Sequence, residues 1–105
     1  PKGLIDEGEL AEEAANRELQ EEIGYGSNKL QKVTELMMAP AFFNAKMTVY
    51  LASNLYMAKL EGDEPEPLQL VSWSIKDYKE LLQQADFTEA RSIAALMLVR
   101  DLLEN

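Results

Sequence analysis

Cysteine is missing altogether from this chain, which removes disulfide cross-links, zinc–thiolate centres and a cysteine nucleophile from consideration. Basic residues are scarce: 10 Lys and Arg stand against 19 Asp and Glu, giving a net charge of −9. Nucleic acids and anionic membranes select clustered Lys and Arg, so neither is expected as a partner. A polyanionic small molecule would meet the same repulsion, and metal ions would have to offset it. No apolar run approaches the roughly 20 residues that span a bilayer, and no signal peptide is visible, so the cytoplasm is the default location. Internal repeats and low-complexity tracts are lacking too. What is present is 105 residues, 47% hydrophobic and 28% charged, enough for one soluble domain with a modest core.

The most informative stretch is residues 3–25, GLIDEGELAEEAANRELQEEIGY. The turn-forming run Asp6-Glu7-Gly8 predicts a tight turn within a loop over 1–9. A helix is predicted over 10–22, with Ala11, Ala14, Ala15 and Leu19 on its buried side and Gly24 as its terminator. On that helix Glu18 and Glu22 are four residues apart and Glu18 and Glu21 three apart. All three carboxylates therefore share one face, within an arc of about 100°. Like charges at these spacings repel and weaken a helix. A cation placed there would offset the cost, and hard oxygen donors in this number suit Mg²⁺ or Mn²⁺. The competing description, a solvated acidic face, fits most glutamate-rich helices.

Downstream, residues 24–28 read as a loop and 29–38 as a strand with Leu30, Val33, Leu36 and Met38 as its apolar positions. Pro40 breaks that strand, and a loop over 39–45 carries Phe42 and Phe43. A second strand is predicted over 46–57, then an acidic loop over 58–67 and a third strand over Leu68–Ser74. A short helix follows over Ile75–Gln84, with Tyr78, Leu81 and Leu82 inward. The last helix starts near Asp86, which with Glu89 resembles a capping box, and its stripe is Ile93, Leu96, Met97, Val99 and Leu103. Tyr50, Tyr56, Trp73 and the Met37-Met38 pair read as packing residues. This order of elements predicts an α/β or α+β layered domain.

The spacing Gly3, Glu9, Arg17-Glu18-Leu19, Glu21-Glu22, Gly24 resembles the Nudix box, a loop–helix–loop motif of enzymes that hydrolyse nucleoside diphosphates linked to another group. Every charged and glycine position is matched without a gap; Tyr25 stands where the family usually has an aliphatic residue. The resemblance implies an α/β/α sandwich around a mixed sheet, and strands ahead of the box. With Pro1 directly against the motif, residues 1–105 are expected to be the C-terminal part of a single Nudix domain. It also implies Glu18, Glu21 and Glu22 as metal-binding and catalytic carboxylates, with the backbone carbonyl of Lys2 as a further ligand. Gly3, Glu9, Arg17 and Gly24 become orienting residues, and Mg²⁺ or Mn²⁺ the cofactor.

The remainder is similar to the branch of the family that includes ADP-ribose pyrophosphatases. That likeness implies ADP-ribose, NADH and diadenosine polyphosphates as substrates, AMP as a product, and a homodimer. In that branch a glutamate on the loop before the third strand serves as base or extra ligand; here Glu66 matches, with Glu64 in reserve. Ala39-Pro40-Ala41 replaces a Ser-Pro-Gly-like turn, which leaves the substrate loop different. Phe42 or Phe43 is placed to stack on a base or to serve a core or dimer contact. Lys46 is placed to touch a phosphate or to be an ordinary surface lysine. Two other readings compete: a non-catalytic Nudix-fold sensor, which usually loses one of the glutamates, and a nucleoside-triphosphate pyrophosphohydrolase. A Nudix isomerase of isoprenyl diphosphate would need the cysteine this chain does not have.

Overall fold

A computed structural model describes residues 1–39, 41, 42, 45–59 and 70–104. In chain order the elements are α1 (Ala11–Ile23), β1 (Tyr25–Met38), β2 (Ala45–Met57), a 3₁₀ turn (Ile75–Asp77), α2 (Tyr78–Leu82) and α3 (Ala90–Glu104). Helices with an antiparallel pair of strands give the mixed α/β fold that the order of elements predicts. The chain divides into two compact units, Pro1–Leu70 and Val71–Asn105.

In the first unit, the Glu9 amide donates to the Asp6 carbonyl at 3.0 Å, closing the turn expected at Asp6-Glu7-Gly8. α1 then starts without a side-chain cap on Leu10, and Glu12 and Glu13 in its first turn meet the positive end of the helix dipole. Its last turn has no basic residue, so the carboxylates of Glu21 and Glu22 sit at the negative end of the helix dipole. Gly24 stops the helix at φ +77°, a left-handed conformation that costs glycine nothing, and its amide returns to the Gln20 carbonyl at 3.1 Å. The Gly24 carbonyl accepts from the Ala58 amide at 2.9 Å, which joins the end of α1 to the end of β2. Ala14 and Leu19 are buried, while Ala11 and Ala15 are half-buried. Asn16 is a poor helix former. Its place is explained by the Ser27 amide, which donates to Asn16 Oδ1 at 2.8 Å and ties α1 to β1.

β1 and β2 pair antiparallel, from Tyr25 opposite Met57 to Met38 opposite Ala45. β1 begins at Tyr25, inside the loop predicted over 24–28. Gly-Ser-Asn looks like turn chemistry, but tertiary pairing overrides it. Gly26 is buried opposite Tyr56, and a Cβ on Gly26 would lie 2.4 Å from Tyr56 Cζ, so the ring occupies the slot where a side chain would be. Tyr56 Oη in turn meets Gln20 Nε2 at 3.5 Å. The register slips between Lys32, opposite Tyr50, and Thr34, opposite Val49. This bulge at Val33 accounts for apolar positions in β1 that do not keep a strict period of two. Val49 is the buried residue of β2.

Two sequence expectations need correction here. Residues 70–74 of the predicted third strand belong to no strand, and Leu70, Val71 and Trp73 are exposed. β-prone composition makes a strand only where a partner offers a ladder. Met37, read as core filler, is exposed opposite Lys46.

In the second unit, the predicted helix over Ile75–Gln84 divides into the 3₁₀ turn and α2, and Ser74 Oγ accepts from the Lys76 amide at 3.3 Å. Tyr78, Leu81 and Leu82 are half-buried. The guanidinium of Arg100 on α3 stacks on the Tyr78 ring, 4.5 Å from its centroid. The cap of α3 is Glu89 rather than Asp86: Glu89 accepts the Ser92 amide at 2.7 Å on Oε2, and its carbonyl accepts the Ile93 amide at 3.1 Å. Leu103, read as part of the buried stripe, is exposed. A cleft of about 480 Å³ is lined by Val71, Trp73, Leu81, Gln84, Asp86 and Phe87. Among the described residues no helix is long and apolar enough to cross a membrane.

Candidate metal centre

The loop ahead of α1 lies across its acidic face. The Lys2 amide donates to Glu22 Oε2 at 3.2 Å, Gly3 lies against the Glu18 carboxylate, and the Leu4 carbonyl accepts from Arg17 Nη2 at 2.8 Å. Successive loop residues 2, 3 and 4 thus meet helix residues 22, 18 and 17. Gly3 is required by this approach, since a Cβ there would fall 2.0 Å from Glu18 Cδ and 2.3 Å from both Cγ and Oε1.

Arg17 is the hub. Its Nε donates to Glu9 Oε2 at 2.9 Å and its Nη2 to Glu9 Oε1 at 3.1 Å, the paired geometry that a planar guanidinium favours. Nη2 also lies 3.5 Å from Asp6 Oδ2. Nη1 faces the other way and donates to Glu18 Oε1 at 2.9 Å and Glu21 Oε2 at 3.3 Å. Glu9 completes the hub by accepting the Asp6 amide at 2.9 Å.

The three helix carboxylates are well covered, with 16%, 20% and 17% of the side-chain surface of Glu18, Glu21 and Glu22 exposed. They do not splay into bulk solvent. Among the described residues, however, no three Asp or Glu side chains stand close enough together to enclose one ion. Glu18 and Glu21 are drawn to Arg17, and Glu22 to the Lys2 amide. The donor set fits a hard divalent cation in its chemistry: it is all carboxylate oxygen, with like charges clustered at the negative end of a helix.

The Arg17 hydrogen bond, followed by that from the Asp6 amide, holds the Glu9 carboxyl below the usual glutamate range. The same pair pushes Arg17 upward, led by its hydrogen bond to Glu9. The sign for stability follows from linkage. A carboxyl with a lowered folded pKa contributes stability that is present above its unfolded value, near 4.5, and is lost as the pH falls through the folded value. Glu9→Gln should therefore be less stable than the wild type at neutral pH, and the two should converge in acid. Urea denaturation from pH 3 to 7 checks this, and a gap that stays constant with pH would refute it.

The remaining predicted site residues lie elsewhere or outside the described residues. Phe42, 86% exposed, sits in the β1–β2 turn, where its amide donates to the Ala39 carbonyl at 2.9 Å. Lys46 pairs with Met37, ten residues along β1 from Ser27, where α1 is tied on. That is about 30 Å of extended chain, and the charge of Lys46 acts instead on Glu35. Phe43, Glu64 and Glu66 fall outside the described residues. Sequence reasoning missed the Leu4 carbonyl and Asp6 as partners of Arg17 and Asn16 as the clamp to β1. The signal available was Asn16 itself, a weak helix former in mid-helix.

The NUDIX domain family matches residues 1–97. The chain is 52% identical over 103 residues to the ADP compounds hydrolase NudE of Escherichia coli (strain K12), covering 98% of this chain and 55% of that protein. It is 31% identical over 102 residues to an ADP-ribose pyrophosphatase of Bacillus subtilis (strain 168), covering 95% of this chain and again 55% of the relative. A crystal structure of an ADP compounds hydrolase superposes with a TM-score of 0.93 at 52% identity, covering 97% of this chain and 55% of that one. The chain belongs to the NUDIX domain family. It spans about half the length of the curated relatives it matches.

Proposed function

We propose that this chain carries the cation-binding helix of a hydrolase that cleaves the diphosphate linkage of ADP-linked compounds, such as ADP-ribose, NADH and diadenosine polyphosphates, and releases AMP. One observation carries the reading: Glu18, Glu21 and Glu22 are held under cover on one helix face, beneath a loop whose glycine leaves Glu18 its room. The names of the relatives, an ADP compounds hydrolase and an ADP-ribose pyrophosphatase, support the substrate class.

In this reading Glu18, Glu21, Glu22 and the Lys2 carbonyl hold Mg²⁺ or Mn²⁺. When bound, the cation supplies neutralisation of charge on the phosphoryl oxygens during in-line attack. The protein's own groups do the rest. Glu9 fixes Arg17 through two parallel hydrogen bonds, and Arg17 limits the rotamers open to Glu18 and Glu21. Glu66, or Glu64 in its place, accepts the proton as water attacks phosphorus and the bond to the bridging oxygen breaks. Phe42 and Lys46, at the far end of the β1–β2 hairpin from α1, have no part in this reading as contacts to base or phosphate. The test is a panel of ADP-ribose, NADH, diadenosine triphosphate and nucleoside triphosphates on the full-length protein with Mg²⁺, read as AMP or pyrophosphate release. Cleavage of the ADP-linked compounds is the expected result. Pyrophosphate release from nucleoside triphosphates alone would overturn it.

A further inference from the structure

The Arg17 guanidinium has two unlike sides. One edge, Nε and Nη2, is committed to Glu9 and to the Leu4 carbonyl at 2.8–3.1 Å. The other, Nη1, donates to Glu18 Oε1 and Glu21 Oε2, which are oxygens of the carboxylates read above as cation ligands. A guanidinium cannot lose its proton in a protein, so this positive charge can be moved but not titrated away. No basic residue on the last turn of α1 shares the task. Resting on the metal-site reading above, we propose that Arg17 is a resident counter-cation: a divalent cation reaches Glu18 and Glu21 by displacing Nη1, while Glu9 and the Leu4 carbonyl keep the rest of the side chain in place.

The arrangement has two effects of opposite sign. Before a cation binds, Nη1 relieves the repulsion between carboxylates three residues apart and keeps their rotamers ordered. With a cation on Glu18 and Glu21, the Arg17 charge, still anchored on Glu9, would repel it, so Arg17 lowers cation affinity even as it orders the ligands. An arginine serving only as a scaffold would do the reverse, since losing it would disorganise the ligands and weaken binding. The sign of the change in affinity separates the two roles.

The experiment is a Mn²⁺ titration of chelator-treated full-length protein, followed by the loss of the free-ion paramagnetic resonance signal, for the wild type and Arg17→Gln. The variant should bind about tenfold more tightly, on the order of one unit charge near the site at intermediate screening, and should turn over more slowly. Equal or weaker binding by the variant overturns the proposal. Should Arg17→Gln not fold, the wild type decides it through the side-chain ¹⁵N resonances of Arg17. Saturating Mg²⁺ should shift Nη1 and leave Nε, anchored on Glu9, nearly in place; an unmoved Nη1 overturns the proposal. A wild type that binds no Mn²⁺ at millimolar concentration overturns the metal-site reading as well, which tells the two failures apart.

Discussion

Glu22→Gln is expected to lower turnover by roughly two to four powers of ten, the scale on which enzymes lose rate when one preorganised charge contact is removed. The substitution is nearly isosteric. The glutamine carbonyl still accepts from the Lys2 amide, which lies 3.2 Å from Glu22 Oε2 in the parent. Removing one of three like charges also relieves repulsion on the helix face and at its negative end. Folding stability should therefore hold or rise slightly while activity collapses. AMP release under saturating substrate, alongside a thermal melt, measures both. Near-normal hydrolysis by a folded variant would remove Glu22 from the site.

Gly3→Ala should separate stability from chemistry in the same direction by another route. Its new methyl would fall 2.0 Å from Glu18 Cδ, so one of the two has to move. Glu18 is the flexible partner, and swinging its carboxylate aside costs the fold little, about 1 kcal/mol. The chemistry has no such latitude. A carboxylate displaced by an ångström no longer stands where the cation-binding reading needs it, and misplacement on that scale costs about a hundredfold in rate. A modest fall in melting temperature with a large fall in kcat is the expected pair of results. A variant with parental kcat would show that the close approach of Gly3 to Glu18 is incidental.

The parts of the fold that sequence announced are those whose cause is local. α1 has its alanines on the covered side, its acidic first turn and a glycine at the one left-handed position, and it stands within a residue of the predicted bounds. The β1–β2 hairpin follows from two β-rich runs around a break. What sequence misjudged depends on partners distant in the chain. Tyr25 to Asn28 becomes strand because β2 supplies a ladder, and 70–74 does not because no described strand does. Glu89 rather than Asp86 caps α3, a choice settled by where the helix starts and not by residue type.

At the site, the residue types and spacing of Glu9, Arg17, Glu18, Glu21 and Glu22 were legible because the motif is contiguous. The path of the loop was not. That Lys2, Gly3 and Leu4 meet Glu22, Glu18 and Arg17 is a fact of folding across a separation of 13 to 20 residues, with no periodicity to betray it. Arg17 could be assigned to orienting the carboxylates, but the division of its guanidinium between Glu9 on one edge and Glu18 and Glu21 on the other appears only in three dimensions.

The slot at Gly26 has a reach beyond its own strand. The aromatic ring lodged there carries the hydroxyl that meets Gln20 at 3.5 Å, two positions before Glu22, so a missing side chain on the sheet gives α1 one of its contacts with the hairpin. Any bulk added at that spot would act as a shim under the helix, and the aim of its acids would drift with it. A vacancy in the sheet thereby bears on the seating of a neighbouring element.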